Sequence, residues 1–261
     1  MSATTLTEAR LSYGGVLKSE LLKLRSRAML WVTGIALGLW ALLAVTSGTG
    51  DIAKDPLFGT ESRLFAGVML AWIMTTVYAA VATTSEWSTG QYRATFAVVP
   101  RTQLWLAAKA SAAAIYAAIV AVLGVVIAAA ATLPSSLGAG GRIVLTDWDL
   151  WRAFLGVVAV FALSGVMATA IGAIVRATGI AVIIIVTITF ILPFATLIFG
   201  AEWAVHISAY LPSGTADVVI NGPMFGPALE TLPLVPASIV LVAWAAAPYI
   251  AAWQLMSKRD A

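Results

Sequence analysis

Side chains able to perform covalent or metal chemistry are scarce among these 261 residues. The absence of cysteine excludes disulfides, thiol nucleophiles and thiolate metal sites together. A single histidine, His206, cannot supply an H-E-x-x-H zinc site, and it reads as a polar contact at the outer interface. Ser213 and Gly214 lie close to it in sequence, but their flanks suit a loop turn, and a nucleophile needs an activating base and an oxyanion hole. None of the five lysines follows a glycine, so the chain has no phosphate-cradling G-x-x-x-x-G-K-[ST] loop. What remains is one polar stretch, residues 85–109, SEWSTGQYRATFAVVPRTQLWLAAK. Its chemistry is docking, a place where another protein pushes on this one. Ser88 and Gln91 have capping-box spacing and Pro100 supplies a stop, which predicts a short helix at the membrane surface. Tyr92, Phe96 and Val99 then share one face while Arg93 points elsewhere. The same spacing also fits an ordinary solvated loop with orienting arginines.

The elements that must position this stretch are set by composition. Hydrophobic residues make up 61% of the chain and charged ones 10%, with a mean hydropathy of +0.96. A soluble domain carries about 25% charged residues, so the expected class is an all-α integral membrane protein. Six apolar runs reach the roughly 20 residues that a bilayer core requires: 28–47, 64–84, 104–133, 151–175, 180–199 and 234–256. The first run is too long for a signal-peptide core and is expected to persist as an anchor. Counting Lys and Arg with the N-terminus inside puts eleven on that side, including Arg93, Arg101, Lys109 and Arg176. Only Lys54, Arg63, Arg142 and Arg152 fall outside. Both termini are therefore expected in the cytoplasm, and the net charge of +3 belongs to membrane orientation rather than to nucleic acid.

Residues 1–27 read as a tail followed by an interfacial helix, on which Tyr13, Leu17, Leu21, Leu24 and Ala28 share a face and Lys18, Lys23, Arg25 and Arg27 cover the remainder. Residues 48–63 and 134–150 read as short external connectors, 176–179 as a tight turn and 257–261 as a cytoplasmic tail. The segment 200–233 is apolar but broken by Pro212, Gly214, Gly222, Pro223, Gly226, Pro227 and Pro233, which suggests short half-inserted helices. Pro193 should kink or break the fifth span. Tryptophans at the run ends, Trp31, Trp105, Trp148, Trp151, Trp203 and Trp253, suit interfacial belts. Lys109 is expected to rise out of the lipid on the polar side. No Asp, Glu, Lys, Arg or His occurs between 110 and 132, between 153 and 175, or along the fifth and sixth runs, so energy for any transport must enter from outside the membrane. Thr75, Thr76, Tyr78, Tyr116, Thr187 and Thr189 either line a path for an amphipathic substrate or bond to their own helices. Ser164, Ala168 and Gly172 form a small-xxx-small face for packing within the subunit.

The order of three stretches resembles the membrane subunits of ATP-binding cassette transporters of the type-2 permease family, especially single-domain bacterial exporters. These are KSELLKLRSRAMLW at 18–31, the segment with Glu86, Gly90, Arg93, Pro100, Arg101 and Lys109, and the terminal KRD at 258–260. LPSG at 211–214 resembles the family's turn before the last span. The resemblance implies an elbow helix before the first span, a coupling helix between the second and third, and re-entrant helices between the fifth and sixth. It implies a dimer with an identical or paralogous permease, and two separate ATPase subunits that hold the ATP and magnesium, with no cofactor, metal or catalytic site on this chain. Glu86 and Gly90 would mark the start of the coupling helix, Tyr92 and Phe96 its packed face, and Arg93 and Arg101 the flanks of the ATPase contact. Phe96 stands where many relatives look leucine-like. The expected activity is export of a drug, antibiotic, peptide or lipid across the bacterial plasma membrane, with a secondary transporter or channel acting without an ATPase as the alternative.

Overall fold

The computed structural model describes residues 12–199, 202–221 and 232–258. The tail at 1–11, the breakers Gly222, Pro223, Gly226 and Pro227, and Arg259 and Asp260 of the terminal KRD lie outside them. Among the described residues the protein is all-helical, and six helical segments are long and apolar enough to cross a membrane. The chain is thus a multi-pass membrane protein.

The elements are α1 (Tyr13–Leu24), α2 (Arg27–Thr46), α3 (Pro56–Phe65), α4 (Val68–Ser88), α5 (Gln91–Val98), α6 (Thr102–Gly138), α7 (Trp148–Val175), α8 (Thr178–Val186), a π turn (Thr187–Ile191), α9 (Leu192–Phe199), α10 (Glu202–Tyr210), α11 (Pro212–Asn221) and α12 (Leu234–Ser257). Spans alternate in direction, so Val16 of α1 and Met256 of α12 meet in one hydrophobic cluster at the same end of the bundle. We call this the proximal end; α5 lies there too. The distal end carries α3, α10 and α11.

Several boundaries differ from the sequence expectation, each for a local reason. The interfacial helix stops at Leu24, because Ser26 adopts an extended backbone and its hydroxyl caps Met29 N–H at the start of α2. Its fully buried residues are Val16 and Glu20, with Leu17 and Leu24 of the leucine face packed, partly buried, on the core, and Glu20 reaches an ion pair in the bundle. The connector 48–63 contains most of α3, which packs on the end of α6. The third span runs through Pro134 to Gly138, and at 1.5 Å per residue its 37 residues measure about 55 Å, longer than the roughly 30 Å hydrocarbon core. Pro193 does not break the fifth span: the π turn just before it, closed by Leu192 N–H to the Thr187 carbonyl, widens the helix where proline cannot accept the regular register. Trp105 is fully buried and so is no belt residue, whereas Trp31, Trp148 and Trp203 are exposed.

The core is built by large rings pressed onto small residues. Trp40 is fully buried, donates Nε1–H to the Leu64 carbonyl at 2.8 Å, and lies against Gly67 and Gly124, neither of which has room for a Cβ. Central α7 packs its Ser164, Ala168 and Gly172 face on α4: Trp72 Nε1 donates to Ser164 Oγ at 2.8 Å, and Gly172 meets Thr83 and Thr84. At the distal side Gly156 lets α7 approach the backbone of Val219 in α11, and Arg152 Nη1 donates to the Ile220 carbonyl at 3.1 Å.

Candidate functional site

At the proximal end three features meet: the surface helix α5, a ring of buried charges and a cavity. α5 starts because Gly90 adopts a left-handed backbone, φ 72° and ψ 5°, that L side chains rarely take. The capping box expected from Ser88 and Gln91 does not form. Ser88 is still inside α4, where its hydroxyl donates to the Ser85 carbonyl at 3.1 Å, and a helical residue cannot serve as the extended N-cap. The helix ends at Val98, ahead of Pro100, which excludes helical backbone at Val99.

The expected inward face does pack. Tyr92 stacks on Trp87 with ring centroids 4.6 Å apart, and Phe96 sits edge-on between Trp87 at 5.8 Å and Trp105 at 5.4 Å. Beneath them the guanidinium of Arg176 lies 3.9 Å from the Trp87 ring centroid. This aromatic clasp joins α5 to α4 and α6 and leaves Arg93, Ala94, Ala97 and Val98 facing outward, with Val98 70% exposed. Pro100 and Arg101 are exposed at the entry to α6.

Behind the clasp four charges close a ring. Lys23 Nζ lies 2.6 Å from Glu20 Oε1 and 3.1 Å from Glu86 Oε1, and Lys109 Nζ lies 3.0 Å from Glu20 Oε2 and 2.7 Å from Glu86 Oε1. The ring ties α1 to α4 and α6. Glu20, Glu86 and Lys109 are buried, and Lys109 is satisfied within the protein by two carboxylates. Burial opposes the Lys23 ammonium, yet Glu20 and then Glu86 outweigh it and hold its pKa above the ordinary lysine value. Glu86 lies within α4 and faces the ring instead of opening α5.

Of the residues proposed for a path, the structure brings only Tyr78 and Tyr116 to the cavity, which measures about 400 Å³ and borders the ring. Their rings stand 5.4 Å apart, with Tyr78 OH 3.2 Å from Ser26 Oγ and Tyr116 OH 2.8 Å from Thr33 Oγ1. Thr75 and Thr76 are buried and donate to the carbonyls of Ala71 and Trp72, one turn back in their own helix. Thr187 opens the π turn, partly buried, and Thr189 is buried within it. Glu20, Trp87 and Thr169 were not singled out by sequence reasoning. A signal existed for Glu20: a lone Lys109 followed by a long uncharged run calls for an acidic partner, and Glu20 is the acid that precedes Lys23 by three residues.

Residues 16–196 match the family model described as ABC-2 family transporter protein, a match that runs from α1 into α9. None of the curated proteins compared with the chain matches it. The chain belongs to the ABC-2 transporter family.

Proposed function

We propose that this ABC-2 family permease is the membrane subunit of an ATP-driven exporter, and that its α5 is the element on which a separate ATPase subunit pushes. The family implies an ATP-binding partner. The observation that supports docking on α5 is its two-sided construction: one face is clamped by Trp87 and Trp105, while the other presents Arg93 and Val98. A force on the outward face passes through the clasp to the ends of α4 and α6. In this reading the proximal end is cytoplasmic, in a bacterial plasma membrane. Two permease copies, identical or paralogous, pair with two ATPases that carry the ATP and magnesium, and this chain holds no catalytic site. The cargo is hydrophobic or amphipathic: a drug, antibiotic, peptide or lipid. ATP-driven closure of the partners biases the spans only if the ATPases contact α5 differently in the inward and outward states.

The test reverses the outward charge with Arg93→Glu and breaks the apolar contact with Val98→Asp, two exposed positions; Arg93 meets the clasp through its Nε–H to the Tyr92 hydroxyl at 3.3 Å, and the stack of Tyr92 on Trp87 does not use that bond. In the reconstituted complex, cargo-stimulated ATP hydrolysis and transport should fall together by about tenfold or more, as expected for central contacts of a docking surface. Wild-type transport by both variants, or transport by the permease without any ATPase, would favour the secondary-transporter alternative.

A further inference from the structure

The cavity beside the charge ring has a chemical preference that its wall residues define. Glu86 places Oε1 on both lysines, but its Oε2 is buried with no hydrogen-bond partner in the protein. Thr169, on α7, is fully buried and its hydroxyl has no partner either. Both residues line this cavity. A buried carboxylate oxygen without a donor is costly, so such a pair of atoms is an anomaly that a ligand would relieve.

The polarity of that ligand follows from what is already used. Lys23 and Lys109 each lie between two carboxylates that neutralise them, so an arriving anion meets no unbalanced positive charge here. The two positive and two negative charges balance, and the acceptor left over is Glu86 Oε2. A donor is wanted, and a charged donor makes the strongest bond to a carboxylate. Beyond the ring the wall turns apolar, with the faces of Tyr78 and Tyr116 and the small side chains of Ala79 and Ala113. Because the two tyrosine hydroxyls are held by Ser26 and Thr33, these residues offer their rings, which attract a cation.

We propose that the cavity binds protonated aliphatic amines carrying an apolar body, with the ammonium donating to Glu86 Oε2 and Thr169 Oγ1 and the body lying along Tyr78 and Tyr116. A volume of about 400 Å³ falls within the range of sites that hold drug-sized molecules. This names a cargo class for the exporter and so rests on the permease reading. Binding itself, however, needs neither nucleotide nor ATPase, which makes the two claims separable.

The experiment is a binding titration of the full-length protein in lipid nanodiscs with dansylcadaverine, read by energy transfer from tryptophan. Its N-acetyl derivative keeps the body and removes the charge. The amine should bind saturably and the acetylated form about tenfold or more weaker, the effect of one charge-assisted bond. Glu86→Gln should weaken the amine by a similar factor. Thr169→Val, which removes a hydroxyl without a protein partner, should weaken it by about threefold while leaving stability unchanged. If Glu86→Gln fails to fold, the acetylated probe and Thr169→Val decide. Equal affinity for the charged and acetylated probes, or wild-type affinity in Thr169→Val and any folded Glu86→Gln protein, overturns the proposal. Amine binding of this pattern stands even if α5 proves not to dock an ATPase.

Discussion

At the proximal end four side chains of alternating charge close a ring, whereas at the distal end the buried cation Arg63 meets hydroxyls, donating to Ser136 Oγ at 2.7 Å and Ser135 Oγ at 3.2 Å. Both arrangements tie a short helix to α6, α1 in one case and α3 in the other. They differ in what happens when they are disturbed. Hydroxyls left by an arginine stay neutral and bond to their own helices, while a carboxylate left by a lysine remains a buried charge. The proximal end is therefore the part of the molecule in which a small displacement changes the energy most, and that is where α5 and the cavity sit.

The largest effect should come from opening the ring. Lys109→Met leaves Glu20 and Glu86 sharing Lys23, and should destabilise the protein by about 3–5 kcal/mol in chemical unfolding from nanodiscs. Arg63→Met, its distal counterpart, should cost less, about 1–3 kcal/mol, because the partners it strands among the described residues are neutral hydroxyls. Equal losses would erase the distinction between the two ends. The double variant Glu20→Gln with Lys109→Met leaves the balanced pair Lys23 and Glu86, so it should lose clearly less than the sum of the single variants, a coupling of about 0.5–3 kcal/mol. Alkaline titration probes the same ring. The Lys23 pKa is raised on folding, so its stabilisation is complete below the unfolded value of about 10.4 and disappears as pH climbs through the folded value. Thermal unfolding should show this ring contribution flat across neutral pH and falling only in strong alkali; a loss of it near pH 7 would contradict the assignment.

Smaller effects distinguish the two hydroxyls near the proximal end. Ser26→Ala removes a true cap and should cost about 1 kcal/mol. Ser88→Ala should change stability by no more than about 0.5 kcal/mol, since Ser88 caps nothing.

Much of the architecture was legible in the sequence because it follows from length and composition: six apolar runs, a basic first helix, and a short polar helix with Tyr92 and Phe96 on one face, followed by Val99, which is buried just past its end. Capping was misread at Ser88 because a positive-φ glycine two residues later, which leaves no side-chain signature beyond its own identity, sets the true start. The charge ring was not legible because its members are far apart in sequence, with Glu20 and Lys109 separated by 89 positions. Single residues at the ends of apolar runs look like headgroup anchors until tertiary packing joins them. For Thr75 and Thr76 the structure shows the second of the two readings left open by the sequence: both donate within their own helix, and sequence spacing does not distinguish that from lining a channel.

In the proposed function the outward face of α5 is presented to the cytoplasm for an ATPase. The chain has no cysteine, so single thiols can be introduced without background. Val98→Cys and, as a distal control, Leu145→Cys each replace a side chain that is 70% exposed. The most direct measurement is labelling of these thiols by a membrane-impermeant maleimide in sealed vesicles of both orientations. Val98→Cys should react only in inside-out vesicles and Leu145→Cys only in right-side-out ones. Labelling of Val98→Cys from the outside would contradict it.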